Sequence, residues 1–481
     1  MGILTGEQFI RRLDSLKNNI WYDGEQVTIP LSQHPAFQGI LKTKAALYDL
    51  QHDEQLQQEL TFHSPVINET VGTSFLQPRT KEELVQRRVM TRHWAKQTNG
   101  MVGRTPDYLN TVLMSLACSG ELLERIDTSF PQHLQSLYQL AMKEDLSFTH
   151  TFITPQVNRS RFYVDHGDKP ISAKITDITD EGLVIKGARL LATQGGSTDE
   201  VLVLSVPQLL LDPNEAFAFS IPSNTKGLTF ICRDSYVGGD SFFNHPLSSR
   251  YEEMDAIVVF NDVTVPWQRV FYYHNTELAK TFLAQSSFSN FATHQALTRQ
   301  IAKTEFLLGL AELLVKTINV HEYQHIHEKM ADIITGLETM KALIEKSEHD
   351  ATLDSFGYMR PHIIPLKVAM NLFPKIYPRF VEILQQIGAS GMISLPSEQA
   401  FHSQIAPELE HYLQGAAVSA DARVKIFRLA WDATMSAFGT RQTQYERFFY
   451  GDPVRLAGDL YQTYPKEDAV ESVRKFLNLD E

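Results

Sequence analysis

The stretch LSFTHTFITPQVNR, residues 146–159, marks the point where the pattern of the chain changes. Before it, apolar residues recur at the three- and four-residue spacing of amphipathic helices, and after it they alternate with polar residues as in half-buried strands. The stretch follows neither period and concentrates polar and aromatic residues around His150. Polar segments at such a boundary are well placed to line a cleft between domains, where ligand sites concentrate. These residues therefore either line a site or only join two domains.

Helix starts can be identified upstream of this stretch. Thr5 with Gln8 and Thr80 with Glu83 have the spacing of a capping box. In GRTPDY, residues 103–108, Thr105 and Pro106 suit the N-cap and the first helical position.

The same GRTPDY segment places two side chains near one helix end. Arg104 precedes the predicted helix and Tyr108 lies on its first turn, so both side chains can project past that end.

Residues 171–266 carry the alternating pattern of strands. ISAKITDITDEGLVIKGARLLAT forms two runs joined by Asp180-Glu181-Gly182, which is a hairpin signal. Further runs follow as EVLVLSV, EAFAFSIP, LTFICR and MDAIVVFNDVTVP. Roughly a hundred residues of antiparallel structure suit one barrel or sandwich.

Long helical patterns occupy the rest of the chain and predict an antiparallel bundle. The candidate helices span Gln295–Ile318, Tyr323–Ser347, Leu366–Gln386 and Glu408–Phe438, with a terminal helix after Lys466. We therefore predict an α+β multidomain protein, with a helical N-terminal domain over residues 1–145, a β domain over 146–272 and a helical bundle over 273–481.

Composition excludes several classes of function. The 481 residues carry a formal charge of −13 with no basic run, which argues against nucleic acid or an anionic membrane as partner. The two cysteines, Cys118 and Cys232, are too few and too distant for a disulfide framework. No secretory signal and no apolar run long enough to cross a bilayer is evident, so we expect a soluble, cytoplasmic protein.

Common cofactor and catalytic motifs are missing from the sequence. There is no G-x-G-x-x-G after a strand, no Walker A, no G-x-S-x-G and no H-E-x-x-H, which argues against an NAD(P)H site, nucleotide hydrolysis and triad or zinc hydrolases. His321, His325 and His327 lie close together, but a solvated helix start explains them better than a metal site because no carboxylate or third ligand is evident. No metal is expected.

Five segments resemble one family, the large oxygenase component of 4-hydroxyphenylacetate 3-monooxygenase. They are GRTPDY at 103–108, THTFITPQVNR at 149–159, VGGDSFFNHPLSSRYEEMDAIVVFNDVTVPW at 237–267, IGASGMISLPSE at 387–398 and FGTRQTQYERFFYGDPVR at 438–455. The resemblance implies an acyl-CoA-dehydrogenase-like fold with an antiparallel β-barrel in the middle, assembled as a homotetramer. It also implies hydroxylation of a para-substituted phenol ortho to its hydroxyl, giving a catechol, with O₂ and with reduced FAD supplied by a separate NAD(P)H–flavin reductase.

The resemblance assigns Arg104, Tyr108 and His150 to the phenol oxygen. Arginine supplies a permanent positive charge, tyrosine a hydrogen-bond donor, and histidine a group that titrates near neutrality. The structural alternatives are a helix-capping arginine, a packed tyrosine and a core histidine with satisfied hydrogen bonds.

The resemblance also assigns residues to FAD. They are Gln156, Val157, Asn158 and Arg159, then Thr193 near flavin N5, and finally Asp452, Pro453, Val454 and Arg455. Arginine suits the phosphates and polar groups suit the flavin edge. For the last four residues, the alternative is a Gly-Asp-Pro turn at a helix end.

The sequence departs from the family at one place. A Ser-Thr pair that grips the substrate carboxylate in the family aligns with Val206 and Pro207, neither of which has a side chain that forms hydrogen bonds. The preceding loop, residues 194–198, is one residue longer than in the family. Ser197 or Thr198 in this loop would have to take over the hydrogen bonds to the substrate carboxylate. Phenol hydroxylation survives this change, whereas specificity for hydroxyphenylacetate does not follow.

Two other functions are compatible with the same resemblance. A non-catalytic FAD-binding oligomer and a flavin dehydrogenase of the same fold remain open as alternatives. A 4-hydroxybutyryl-CoA dehydratase of this fold would need three cysteines for its iron–sulfur cluster, and the chain has two.

Overall fold

The computed structural model describes residues 2–157, 170–205 and 211–479, and the first of these segments begins with helices. The helices are α1 (Gly6–Leu16), α2 (Gln38–Leu50), α3 (Gln57–Leu60), α4 (Lys81–Gln97), α5 (Pro106–Cys118), α6 (Glu121–Glu124) and α7 (Phe130–Glu144). Short strands accompany them: β1 (Ile20–Tyr22), β2 (Glu25–Gln26), β3 (Thr61–Ser64) and β4 (Glu69–Gly72). The capping box of Thr5 and Gln8 is confirmed, and Thr80 accepts a hydrogen bond from the Glu83 N–H.

Helix α5 is the central helix of this region because every one of its residues is buried. It begins at Pro106 as predicted, although Thr105 makes no side-chain capping bond. Two of its polar residues form hydrogen bonds inside the protein: Asp107 accepts one from Gln295 at 2.8 Å and Thr111 accepts one from Arg87 at 2.7 Å. Burial on all sides fixes the start of α5, where Arg104 and Tyr108 lie.

The strands of the middle region form two sheets. The elements are β5 (Phe148–Thr151), β6 (Lys174–Ile178), β7 (Gly182–Thr193), β8 (Glu200–Leu204), β9 (Phe217–Pro222), β10 (Leu228–Cys232), α8 (Ser248–Tyr251), β11 (Asp255–Pro266) and β12 (Val270–Tyr273). One sheet has the order β2-β1-β10-β11-β7-β6 and the other β12-β9-β8-β5. Leu190 and Ile153 bridge them where β5 passes β7.

Among the described strands, most pairs are antiparallel, as the sequence predicts, and two are parallel. β1 pairs with β10 and β5 pairs with β8 in parallel register, with His150 opposite Leu202. Strands β1 and β5 both lie before residue 152 in the chain. They are therefore not part of the consecutive hairpins that form the rest of the sheets. Strands this short carry too little alternation to be identified from sequence.

The C-terminal region is a helical bundle with one short hairpin. Its helices are α9 (Thr276–Gln285), α10 (Phe288–Ile318), α11 (Gln324–His349), α12 (Ile363–Gly388), α13 (Ala406–Tyr412), α14 (Ala420–Thr434), α15 (Ala437–Phe448), α16 (Pro453–Thr463) and α17 (Glu467–Leu477), and its strands are β13 (Thr352–Leu353) and β14 (Met359–Arg360). Among the described residues, no helix combines the length and apolar character needed to cross a membrane. The proposed domain boundaries stay predictions; the first falls between α7 and β5, and the second, between residues 272 and 273, falls within β12.

The single helix predicted over Glu408–Phe438 is wrong. Three helices, α13, α14 and α15, occupy and extend beyond this range. Helix α13 ends at Tyr412, and the chain then contacts the end of α10, where the Ala416 N–H donates to the Thr317 carbonyl at 2.9 Å. It breaks again at Ser436, whose hydroxyl accepts the Gly439 N–H and caps α15. The spacing of apolar residues alone does not reveal these two breaks in the helix.

A buried ion cluster fastens α15 to α10. Glu446 accepts hydrogen bonds from Arg299 at 2.6 and 3.0 Å and from Lys303 at 2.8 Å, and these side chains are at most 1% exposed. Burial alone raises the pKa of a carboxyl, but the two cations outweigh it and hold the pKa of Glu446 well below its usual range. The cluster fixes the position of the residues that follow Glu446 on α15.

Replacing Glu446 with glutamine should destabilise the fold strongly, because it leaves two buried cations without their anion. We expect the free energy of unfolding to fall by about 3–5 kcal/mol in denaturant titrations. The control is Glu338→Gln, which removes an exposed carboxylate paired with Lys341 and should leave the unfolding midpoint unchanged. Equal effects of the two substitutions would contradict a structural role for the cluster.

Candidate active site

Three predicted site residues meet between α5 and β5. Arg104 precedes α5, Tyr108 lies on its first turn, and His150 lies in β5. The Arg104 guanidinium is 4.2 Å from the centroid of the Tyr108 ring, and the Tyr108 and His150 ring centroids are 6.0 Å apart. Tyr108 is 5% and His150 7% exposed. The structure therefore brings the three side chains together in one largely buried cluster.

A second aromatic ring covers Arg104 from the C-terminal bundle. The guanidinium lies 4.4 Å from the ring centroid of Phe449 and 5.6 Å from that of Tyr445. Cations over aromatic faces are stabilised by about 0.5–2 kcal/mol, most strongly where water is excluded. Tyr445 and Phe449 were not identified from sequence, although their i, i+4 spacing places them on one helix face within the FGTRQTQYERFFYGDPVR segment.

His150 lies in an environment that disfavours its charged form. Its ring meets Phe152 edge-on, with centroids 4.3 Å apart. Burial first, and the positive charge of Arg104 second, hold the pKa of His150 well below its usual range. The imidazole is therefore neutral at neutral pH and has a lone pair to offer as an acceptor.

Two buried nitrogen atoms in the cluster have no hydrogen-bond partner among the described residues. They are Nε of Arg104 and Nδ1 of His150. Leaving a buried polar group unpaired costs about 1–3 kcal/mol, so such atoms call for a ligand or a structural explanation. One fixed donor with a positive charge and one neutral imidazole suit a single hydroxyl or oxyanion between them.

Thr193 lies at the end of β7, next to the strand that carries His150. Its carbonyl accepts a hydrogen bond from the Thr149 hydroxyl at 2.7 Å, and its own hydroxyl donates to Asp255 at 2.9 Å. Burial raises the pKa of Asp255, but Arg441 and Arg233 outweigh this effect and lower it to about 2. Asp255 is therefore always ionised near neutral pH, and the Thr193 hydroxyl has only its lone pairs left for a ligand.

The remaining predicted flavin residues are largely exposed or lie outside the described residues. Gln156 and Val157 follow β5 and are exposed, while Asn158 and Arg159 lie outside the described residues. Asp452 caps α16 by accepting the Val454 N–H at 3.1 Å, and Arg455, which is 83% exposed, lies 3.8 Å from Asp452. In the single chain, residues 452–455 thus form the helix-end turn that was the structural alternative.

Ser197 and Thr198 are buried in their loop. Their hydroxyls donate to the carbonyls of Gln194 at 2.9 Å and Glu200 at 3.2 Å. Within the described part of the chain, no hydrogen bond links these hydroxyls to the Arg104 cluster. Val206 and Pro207, the other candidates for this end of the pocket, lie outside the described residues.

Comparison with known proteins identifies close relatives along the whole chain. Residues 5–272 and 279–478 match the family models of the N-terminal and C-terminal parts of 4-hydroxyphenylacetate 3-hydroxylase. A probable 4-hydroxyphenylacetate 3-monooxygenase of Bacillus subtilis is 59% identical, covering 100% of this chain and 99% of its own. The oxygenase component of the Thermus thermophilus 4-hydroxyphenylacetate 3-monooxygenase is 45% identical, covering 98% and 97%.

A solved structure shows the same fold. A crystal structure of an oxygenase component of 4-hydroxyphenylacetate 3-monooxygenase, complexed with FAD and 4-hydroxyphenylacetate, matches with a TM-score of 0.94. The match has 45% identity and covers 99% of this chain and 98% of that chain. The predicted acyl-CoA-dehydrogenase-like fold class is confirmed.

His150 should remain neutral in the folded protein well below the ordinary pKa of imidazole. We expect its NMR signals, assigned by comparison with His150→Gln, to stay those of a neutral ring down to pH 6, whereas the urea-unfolded chain should titrate near about 6.5. Because the folded pKa is lowered, this histidine stabilises the fold fully above the unfolded pKa, and that stability is lost as the pH falls toward the folded pKa. A folded-state midpoint at or above that of the unfolded chain would refute this account of the cluster.

Proposed function

The chain belongs to the 4-hydroxyphenylacetate 3-hydroxylase family, and we propose that it is the oxygenase component of a two-component flavin-dependent monooxygenase. Its proposed substrate is a para-substituted phenol, 4-hydroxyphenylacetate or a similar compound, hydroxylated ortho to the hydroxyl to give a catechol. The observation that carries this proposal is the buried cluster of Arg104, Tyr108 and His150 with two unpaired nitrogen atoms.

The cluster has the chemistry needed to activate a phenol. A neutral His150 accepts a hydrogen bond from the phenol hydroxyl, and the Arg104 guanidinium stabilises the negative charge that develops on the same oxygen. Tyr108 contributes a further donor. Negative charge on the oxygen makes the ortho carbon electron-rich, which is the property that oxygen insertion requires.

Aromatic packing around the cluster excludes water from the phenol. Phe152 lies against His150, Phe288 packs behind it with ring centroids 6.3 Å apart, and Phe449 covers Arg104. In a site from which water is excluded, the Arg104 charge acts on the bound oxygen with less screening than it would in water. Burial by itself disfavours the ionised phenol, so the Arg104 charge is what stabilises it there, while the packing protects the oxygen donor from water.

The residues near the cluster fit reduced FAD. When bound, reduced FAD together with O₂ supplies the oxygen atom. The Thr193 hydroxyl donates to Asp255 and is left as an acceptor, which suits the N–H at N5 of a reduced flavin.

The rest of the proposed flavin set comes from the family resemblance. Gln156, Val157, Asn158 and Arg159 follow the strand of His150 directly in sequence. Asp452, Pro453, Val454 and Arg455, on the surface of the single chain, belong to the set as contacts that assembly of a homotetramer would make.

A separate enzyme supplies the reduced flavin in this proposal. The relatives at 45% and 41% identity are named oxygenase components, a name that implies a partner component. The sequence has no nicotinamide-binding fingerprint, and the proposed partner is an NAD(P)H–flavin reductase that delivers reduced FAD, by diffusion or by contact.

The purified chain should convert 4-hydroxyphenylacetate to 3,4-dihydroxyphenylacetate when given reduced FAD and O₂, and should not oxidise NADH without an added reductase. A panel containing 4-ethylphenol and 4-nitrophenol then measures what the carboxylate contributes, scored as hydroxylated product per reduced flavin. Flavin oxidation without hydroxylation of any phenol would support the non-catalytic oligomer or the dehydrogenase instead.

Replacing His150 with alanine should abolish most of this activity, because the phenol loses its hydrogen-bond acceptor. We expect kcat/KM to fall by about 10²–10⁴-fold. Binding of reduced FAD, measured anaerobically by fluorescence, should change little and serves as the control for folding. Unchanged turnover in His150→Ala would mean that His150 is misassigned.

Replacing Phe449 with leucine should weaken phenol binding by removing one ring face from Arg104. A loss of about 0.5–2 kcal/mol corresponds to a rise in Kd of roughly 2- to 30-fold. The matched control is Phe448→Leu at the neighbouring position, where the side chain is 47% exposed. Titration calorimetry with 4-hydroxyphenylacetate should separate the two variants; equal affinities would show that the ring does not support Arg104.

A further inference from the structure

We propose that Glu253 is a positioning residue that sets the place of Arg104 and joins it to the Thr193 side of the site; this inference rests on the proposed function. Glu253 is fully buried, yet its carboxylate makes no contact with the Arg104 side chain among the described residues. It acts on the backbone instead. No local pattern in the sequence indicates this role, because Glu253 lies 149 residues from Arg104.

The Glu253 carboxylate binds the two backbone N–H groups that precede α5. One oxygen accepts the Gly103 N–H at 2.8 Å and the other accepts the Arg104 N–H at 2.7 Å. Hydrogen bonds to an ionised acceptor are stronger than neutral ones, and two of them on adjacent amides fix the orientation of the segment. The direction in which the Arg104 side chain leaves the backbone is therefore set by Glu253.

Gln194 binds Arg104 from the side proposed for the flavin. Glu253 and Gln194 together form a clamp on the Arg104 backbone. The Gln194 amide donates to the Arg104 carbonyl at 2.9 Å and to Glu253 at 3.0 Å. Arg104 is thus held at both its N–H and its carbonyl by side chains of the middle region. Because Gln194 directly follows Thr193, the clamp joins the proposed phenol contact to the proposed flavin contact.

Arg441 extends the same cluster to α15. It donates to Asp255 at 2.7 and 2.8 Å and lies 3.7 Å from Glu253. Asp255 in turn accepts the Thr193 hydroxyl. Arg104 itself pairs with no carboxylate in the described part of the chain, since Glu253 engages its backbone only. Its positive charge therefore remains free for a phenolate while its position is fixed.

The test measures the ionisation of a bound phenol rather than turnover. 4-Nitrophenol is titrated with pH on the protein carrying photoreduced FAD under anaerobic conditions, and its phenolate is followed by visible absorbance. Wild-type protein should lower the pKa of the bound probe by about 1 unit or more, as expected for an opposite charge nearby. Glu253→Gln should lose at least half of this pKa shift. The glutamine NH₂ group would face one of the two backbone N–H groups and cannot accept its hydrogen bond. Glu253→Asp, which keeps the charge, should recover part of the shift.

The matched control is Glu252→Gln. Glu252 is an adjacent carboxylate, 1% exposed, that pairs with Arg233 at 2.6 Å and does not contact the Arg104 backbone. It should keep the wild-type shift although it also loses a buried charge. If Glu253→Gln does not fold, Gln194→Leu removes the other half of the clamp and should reduce the same shift.

The outcomes separate the two proposals. A wild-type shift that survives in Glu253→Gln, or that is lost equally in Glu252→Gln, overturns the positioning role of Glu253 and leaves the proposed function intact. A wild-type protein that binds the probe without shifting its pKa overturns the phenol site itself and, with it, the role of Glu253.

Discussion

A guanidinium group packed against two aromatic rings, with no carboxylate paired to it in the described residues, is the interaction on which this site depends. The Arg104 guanidinium lies 4.2 Å from the ring centroid of Tyr108 and 4.4 Å from the ring centroid of Phe449. An arginine in such a place keeps its charge and keeps donors free for a ligand. Burial is the main cause of the lowered pKa of His150, and the charge of Arg104 adds to it, so that both keep the imidazole neutral.

The three regions of the chain each contribute to holding that group. The buried helix α5 carries its flanking tyrosine, the middle region clamps its backbone through Glu253 and Gln194, and α15 delivers the second ring. The ion cluster of Glu446 fixes α15 in turn. The resulting dependence on distant parts of the chain explains why a site with few polar groups needs such a large scaffold.

Local signals in the sequence predicted the parts of the structure that short-range physics decides. The caps at Thr5 and Thr80 and the start of α5 at Pro106 were identified because each depends on neighbours within a few residues. The meeting of Arg104, Tyr108 and His150 was expected only from the family resemblance. Phe449 and Glu253 were missed, because spacing shows which face of an element a residue occupies and not which distant segment that face meets. The apolar pattern over 408–438 also concealed two helix breaks set by contacts with α10 and by a serine cap.

The most direct measurement is a crystal structure of the chain grown anaerobically with reduced FAD and 4-hydroxyphenylacetate. We expect the phenol oxygen within about 3 Å of the Arg104 guanidinium, the Tyr108 hydroxyl and the His150 imidazole, with the flavin on the Thr193 side. A phenol oxygen bound away from these three side chains, with Nε of Arg104 and Nδ1 of His150 still unpaired, would contradict it.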